Sequence, residues 1–175
     1  PIMSSDHKFS KSLTFIGVPL FFAGLLGKNE KNRVHHVHKD FVPTFRTTVD
    51  DYMQYSPFVL STGLKLMKVP GKGNWVRYTA SSAMSFGIMA ILVNSIKYTA
   101  RELRPDRSTR NSFPSGHTAT AFVAATILHK EYGLTQSPWY SVAGYSVATG
   151  TGMMRMLNNR HWVSDVFAGA GIGIM

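Results

Sequence analysis

Long apolar segments alternate with short polar ones along this chain. Leu13 to Gly27 is apolar and follows two lysines, a pattern typical of either a first membrane helix or a signal-peptide core. Tyr78 to Ile96 contains 19 residues without a charge, which is enough to cross roughly 30 Å of hydrocarbon. Because no small-residue cleavage pattern closes the first segment, we predict a membrane helix at both places.

Further apolar segments complete the pattern. YMQYSPFVLSTGLKLM predicts a helix with Pro57 in its first part, and three more helices are predicted in SGHTATAFVAATILHKEY, WYSVAGYSVATGTGMM and WVSDVFAGAGIGIM. The chain has no strand-type alternation of useful length and no internal repeat. We therefore predict an all-α fold, a bundle of about six helices in a single domain over residues 1–175. The apolar run at the C-terminus has no helix-ending signal, so we expect both ends of a longer protein to be missing.

A soluble helical protein is the alternative to a membrane bundle. The mean hydropathy of −0.04 is low for a membrane protein, and the last three segments are rich in Ala, Gly, Ser and Thr. Small residues also let helices approach closely in lipid, where packing drives their association. The length of the segment from Tyr78 to Ile96 favours the membrane.

Composition restricts the chemistry. The chain has 19 Lys and Arg against 9 Asp and Glu, a formal charge of +10 that favours anionic partners such as phosphates, nucleic acid or acidic lipid. It contains no cysteine, which excludes a disulfide framework, a thiolate nucleophile and a Cys-ligated metal site within these residues.

The polar loops fall on two sides of the predicted bundle. If the helices alternate across a membrane, the basic loop from Lys68 to Arg77 lies on one side, and the segments Lys97 to Pro114 and Arg155 to His161 lie on the other. The positive-inside rule makes the first side cytoplasmic and the second external. All the unusual polar residues then share the external face.

Two of these segments predict an anion site. Lys97 and Arg104 are seven residues apart, so both can project from one side of a helix that ends near Pro105. Ser115 and Gly116 then open the next helix, whose first amides have no intrahelical partner and carry the positive end of its dipole. Gly116 permits close approach of a ligand to the backbone, and the Ser115 hydroxyl can cap the helix or bind an oxyanion.

The third segment, RMLNNRHWVSD, contains Arg155, His161 and Asp165. The spacing of four residues predicts His161 and Asp165 on one helical face, where the carboxylate can hold one imidazole nitrogen and direct the other at a substrate. Taken singly, each of these residues is more often a cap, a turn or a solvated charge; their combination on one face favours catalysis.

The three segments together resemble the signature of the type 2 phosphatidic acid phosphatase family, which shares its site with vanadium haloperoxidases and bacterial non-specific acid phosphatases. The matching positions are Lys97, Arg104 and Pro105, then Pro114 to His117, then Arg155, His161 and Asp165. Met154 stands where the family usually has Ser, which removes no phosphate-binding group. The half of the chain before Lys97 carries no motif.

The resemblance implies a metal-independent phosphatase without a cofactor, acting on an anionic phospholipid or isoprenoid phosphate. Phosphate would be bound by Lys97, Arg104, Ser115, Gly116 and Arg155. His161, oriented by Asp165, would form a phosphohistidine, and His117 would serve as general acid and then as general base. Candidate substrates are lipid A, undecaprenyl pyrophosphate, phosphatidylglycerol phosphate and phosphatidic acid.

Other functions remain open from sequence. A soluble acid phosphatase or a vanadium haloperoxidase shares the motifs, and a basic binder of nucleic acid or anionic membrane is the non-enzyme alternative. Clustering of the basic residues at three motifs argues against that binder. We predict a multi-pass protein of the bacterial inner membrane with a periplasmic site, no nucleic-acid partner and no obligate protein partner.

Two clusters of basic residues outside the motifs do not point to one particular function. His35, His36 and His38 lack a nearby Cys or acidic cluster, so a solvated loop is favoured over a metal site. Three loop arginines either steer an anionic substrate or face lipid headgroups, and Asp106 can tether a neighbouring arginine; they are Arg101, Arg107 and Arg110.

Overall fold

The computed structural model describes residues 5–27 and 45–175. Over these residues the chain is helical and contains no β-strand. The elements in order are α1 (Ser5–Leu26), α2 (Val49–Met53), α3 (Ser56–Leu66), α4 (Trp75–Ala100), α5 (Gly116–Leu128), a π-helical turn (His129–Gly133), α6 (Pro138–Leu157) and α7 (Val163–Ile174). The predicted all-α bundle of six helices is confirmed, with α2 as an additional single turn.

One predicted helix is divided in two. The segment from Tyr52 to Met67 was expected to form one helix, whereas the structure ends α2 at Met53 and begins α3 at Ser56. Pro57 causes the break, because it has no N–H to donate and its ring would clash with the carbonyl four residues earlier in a continuous helix. It is therefore found in the first turn of α3, where an N–H has no intrahelical partner.

Helix α5 is the centre of the bundle. It packs against α3, α4, α6 and α7, and ten of its 13 residues are buried. Most of these are small or β-branched, so neighbouring helices approach it closely on every side. Helix α1 lies outside this arrangement and packs mainly on α7.

Glycines on α7 allow the closest of these approaches. A Cβ atom on Gly169 would lie 2.5 Å from the main-chain oxygen of Ser115, and one on Gly171 would lie 2.5 Å from the main-chain nitrogen of Phe21. Both distances are far below van der Waals contact. Gly169 therefore fixes the separation of α7 from the beginning of α5, and Gly171 fixes that of α7 from α1.

Helix α4 is the one described helix that is long and apolar enough to span a membrane. It extends the predicted segment at both ends, and only 17% of its most apolar window is buried within the protein. Met84, Ile88 and Ile91 are among its exposed apolar side chains. A long apolar face of this kind is suited to contact with lipid.

The helices bring the polar loops to two opposite ends. At one end, Lys65 of α3 forms a buried ion pair with Glu131 of the π-helical turn, with Nζ and Oε2 3.0 Å apart. Gly73, in the loop before α4, donates its N–H to the same carboxylate oxygen over 3.2 Å. At the other end, α2, the end of α4, the loop 101–115, the beginning of α5, the end of α6 and the beginning of α7 converge. We call this second end the site end.

We expect Gly169→Ala to lower the free energy of unfolding by about 1–3 kcal/mol, because the added methyl group must push α7 away from the Ser115 carbonyl. Gly87→Ala is the matched control, since a Cβ there meets no atom within 4 Å. Thermal unfolding in detergent micelles measures both variants. Equal melting temperatures for the two would contradict the proposed close packing.

Candidate active site

Lys97 and Arg104 are held together by Asn111. Lys97 Nζ donates to the Asn111 carbonyl over 2.5 Å, and Arg104 Nε donates to Asn111 Oδ1 over 3.0 Å. The Thr109 hydroxyl donates to the same Oδ1 atom over 2.6 Å. One asparagine therefore orients both cations, and it was not identified from the sequence.

The predicted helical connection between these two cations is wrong. Helix α4 ends at Ala100 rather than near Pro105, because Arg101 adopts a left-handed conformation with φ of 43° and its N–H binds the Lys97 carbonyl. Arg104 consequently lies in a loop, where its N–H donates to the Thr109 carbonyl over 3.0 Å. The loop, rather than a shared helical face, brings Arg104 beside Lys97.

Ser115 and Gly116 form the predicted beginning of α5. Ser115 is the N-cap residue, fully buried, and its Oγ accepts from Thr118 N over 3.4 Å and from Thr118 Oγ1 over 2.9 Å. Gly116 would meet only Val93 Cγ1, 3.8 Å away, if it carried a Cβ. Packing within the described part of the protein therefore does not demand glycine at this position.

His161 lies in the turn between α6 and α7, so the prediction that it shares a helical face with Asp165 is wrong. Helix α7 begins two residues later, because Asp165 caps it by accepting from the Trp162 N–H over 2.9 Å. The two side chains still meet, with His161 Nδ1 and Asp165 Oδ2 3.4 Å apart and both residues buried. The buried Ser112 hydroxyl donates to the same Asp165 oxygen.

Burial lowers the pKa of His161 to about 4, and the positive charges of Lys97 and Arg155 add to the effect. The neighbouring Asp165 carboxylate acts in the opposite direction and only partly offsets the desolvation. The imidazole is therefore neutral at pH 7, which is the form that has a free lone pair.

Arg155, at the end of α6, contacts two carboxylates that the sequence analysis did not identify. Its Nη1 atom lies 2.7 Å from Asp50 Oδ2 and 3.4 Å from Asp51 Oδ1. The Nε atom of Arg155 is buried and has no hydrogen-bond partner among the described residues, so it is available to an oxyanion. His117 also contacts this pair, with Nε2 2.8 Å from Asp51 Oδ1.

A polar cavity of about 790 Å³ opens beside these groups. Its lining includes Asp51 and Arg155 of the site together with Arg46, Asn158, Asn159 and Arg160. Arg160 is paired with Asp106, 3.1 Å away, so the predicted tether is to this arginine rather than to Arg101, Arg107 or Arg110. The cavity is far larger than a phosphate group and can accept a bulky polar headgroup.

The structure thus brings together, at one end of the bundle, side chains from all three motifs. Lys97, Arg104 and Arg155 supply positive charge, Ser115 and Gly116 open α5, and the two histidines lie at the ends of neighbouring helices. His35, His36 and His38 lie outside the described residues.

More than half of the chain, residues 78–175, matches the PAP2 superfamily. The chain belongs to the PAP2 superfamily. Over 159 residues it is 42% identical to the lipid A 1-phosphatase of Porphyromonas gingivalis, an alignment that covers 90% of this chain and 36% of that relative. The chain therefore spans about a third of the length of this curated relative.

Two solved structures share the fold. Aquifex aeolicus LpxE superposes with a TM-score of 0.58 at 23% identity, covering 79% of this chain and 88% of LpxE. A transmembrane PAP2-type phosphatidylglycerolphosphate phosphatase from Bacillus subtilis superposes with a TM-score of 0.63 at 22% identity, covering 91% of each chain. The fold similarity, the superfamily and the exposed apolar α4 together support membrane association.

The PAP2 match begins at Tyr78, so it includes the three motifs but not Asp50 and Asp51. Only the paired carboxylates of VDDYM mark this part of the sequence, and a pair of acids at the start of a helix is ordinarily a favourable interaction with its dipole. The contacts with Arg155 and His117 become visible only once α2 is packed against α6.

The low pKa of His161 predicts acid destabilisation. In the unfolded chain an imidazole titrates near 6.5, so between that pH and about 4 the unfolded state binds a proton that folded His161 does not. The contribution of neutral His161 to the free energy of unfolding is fully present above pH ~6.5. It is lost at up to about 1.4 kcal/mol per pH unit as pH falls toward the folded pKa.

We therefore expect the free energy of unfolding of His161→Gln to fall less steeply than that of the parent protein over this range, because glutamine does not titrate. Chemical denaturation at a series of pH values measures the two slopes. Parallel curves would show that His161 is not buried in its neutral form.

Proposed function

We propose that this protein is a metal-independent phosphatase that hydrolyses the phosphate ester of a membrane lipid through a phosphohistidine. The observation that carries the proposal is the buried contact of His161 with Asp165 at the site end, where the basic side chains of all three motifs converge. Membership of the PAP2 superfamily supports the same reaction.

Lys97, Arg104 and Arg155 neutralise the charge that develops on the three equatorial oxygens of the transferred phosphoryl group. The unpartnered Nε of Arg155 and the first amides of α5 are the donors directed at those oxygens. Ser115, whose Oγ accepts from Thr118, still has its own hydroxyl proton to donate. This arrangement meets the charge of the phosphate without a metal ion.

In the first step, the lone pair of His161 forms a bond to phosphorus while the bond from phosphorus to the lipid oxygen breaks. Asp165 lies beside Nδ1, so Nε2 is the attacking nitrogen, and the carboxylate stabilises the charge that the ring acquires. His117 gives its proton to the departing oxygen, which leaves as an alcohol.

In the second step, neutral His117 takes a proton from water as the water oxygen attacks phosphorus. The bond between phosphorus and His161 breaks, inorganic phosphate leaves, and both histidines return to their starting states.

We propose a lipid with a large, polar headgroup as substrate, with a lipid A 1-phosphate group as the first candidate. The relative from Porphyromonas gingivalis is named for that activity, and the cavity of about 790 Å³ beside Arg155 accommodates more than a glycerol headgroup. Undecaprenyl pyrophosphate, phosphatidylglycerol phosphate and phosphatidic acid are the competing substrates.

We also propose that the protein is a multi-pass protein of the bacterial inner membrane and that the site end faces the periplasm. The loop from Lys68 to Arg77, at the opposite end, contains basic residues and no acid. The positive-inside rule assigns such a loop to the cytoplasm.

Phosphate release from purified protein in detergent, with excess EDTA, tests the reaction. We expect activity to persist in chelator and to be highest on lipid A among the four candidate lipids. His161→Gln and His117→Gln should each lower turnover by a factor of at least about 10², while the melting temperature of His117→Gln stays near that of the parent. Loss of activity in EDTA with recovery on adding Mg²⁺, or near-normal turnover of the His161 variant, would refute this mechanism.

Thiol labelling tests the orientation. Lys72→Cys and Arg110→Cys each replace an exposed basic residue, one at each end of the bundle, in a chain without native cysteine. An impermeant maleimide added to intact cells whose outer membrane is permeabilised should label the cysteine at 110 and not the one at 72. The reverse pattern would place the site on the cytoplasmic side.

A further inference from the structure

The short helix α2 places a carboxylate against the histidine that the mechanism uses as general acid. Asp51 Oδ1 lies 2.8 Å from His117 Nε2 and 3.4 Å from Arg155 Nη1. The Asp51 side chain is half exposed, at 49%, and it also lines the polar cavity. It takes no part in the two proposed reaction steps.

Asp50 and Asn158 anchor this carboxylate in place. Asp50 is fully buried, and its two oxygens bind Arg155 Nη1 over 2.7 Å and Asn158 Nδ2 over 2.9 Å. Asn158 also bonds the main chain of Thr47, accepting from its N–H over 2.8 Å and donating to its carbonyl over 2.9 Å. Because α2 is tied to α6 at these points, the contact between Asp51 and His117 is part of a fixed network.

The surroundings of His117 otherwise oppose its protonation. Burial disfavours the charged imidazole, and the positive charge of Arg155 and the positive end of the α5 dipole act in the same direction. Among the described residues, the charged groups that face it are Arg155 from α6 and Asp50 and Asp51 from α2. Of the two acids, Asp50 is committed to Arg155 and Asn158, so Asp51 is the carboxylate that pairs directly with the imidazole.

We propose that Asp51 is a positioning residue that favours the protonated form of His117 and orients it for proton transfer to the leaving group. Its carboxylate accepts a hydrogen bond from Nε2, which leaves Nδ1 to donate the proton as the bond between phosphorus and the lipid oxygen breaks. Asp51 remains ionised throughout. This inference rests on the proposed phosphatase function.

Asp51→Asn tests the proposal. Asparagine has the same shape as aspartate and position 51 is half exposed, so we expect the fold to be retained. Removing an opposite charge at this distance lowers the pH at which the imidazole loses its proton by about one pH unit or more. We expect the alkaline limb of the kcat/KM profile to move to lower pH by about that amount, with activity at acid pH largely preserved. Asp51→Glu should return the limb toward its original position, and Asp106→Asn, which neutralises the acid paired with Arg160, should leave it in place.

The leaving group provides a second readout. An alkoxide departs poorly without a proton, whereas p-nitrophenolate departs readily. At pH ~8 we expect Asp51→Asn to lose at least about tenfold more activity on an alkyl phosphate lipid than on p-nitrophenyl phosphate. The His117→Gln variant should likewise lose more activity on the alkyl phosphate lipid than on p-nitrophenyl phosphate.

Three outcomes separate the explanations. A uniform loss at every pH and on both substrates would overturn the proposal and indicate a merely structural role for Asp51. A gain in activity and tighter inhibition by vanadate would overturn it in another way, because Asp51 would then be competing with phosphate. If the parent protein releases no phosphate from any substrate, the proposed function itself fails, independently of Asp51.

Discussion

The geometry of the site end depends on the contacts of Asp165. Its Oδ2 atom accepts from the Trp162 N–H and the Ser112 hydroxyl, and its main-chain oxygen accepts from the Ser115 N–H over 2.9 Å. One fully buried residue therefore caps α7, fixes the loop before α5 and lies beside the His161 imidazole. A buried carboxylate is costly unless its lone pairs are satisfied. These bonds thus stabilise the ion and, at the same time, set the positions of two helix ends.

A second constraint is the concentration of positive charge. Lys97, Arg104 and Arg155 repel one another when no phosphate is bound, and the protein offsets this with neutral acceptors and a few carboxylates. Asn111 supplies acceptors to the first two, whereas Asp50 and Asp51 meet Arg155. An amide oxygen orients a cation without cancelling its charge, so the Lys97 and Arg104 pair stays fully attractive to an anion. The two carboxylates instead pair with Arg155, which is buried.

The sequence allowed prediction of the helices and the three motifs because both depend on local patterns. Uncharged stretches of sufficient length and the Ser115 cap act within a few residues, and each motif is recognised by the spacing of its own residues. What it could not give was the position of Arg104 in a loop, since that depends on a single left-handed residue, Arg101. The contribution of α2 was also hidden, because Asp51 and His117 are 66 residues apart and meet only through the packing of α2 on α6. Long-range polar contacts of this kind leave no periodic trace in one sequence.

Helix α5 is restrained at both ends by polar contacts of different kinds. The Ser115 main chain is bonded to α7 at one end, and beyond the other end the buried pair of Lys65 and Glu131 joins the π-helical turn to α3. A piston-like movement of α5 would break one of these sets while straining the other. Axial movement of α5 is thereby opposed at both ends. His117 and His161 therefore keep a constant position relative to each other along the helix axis.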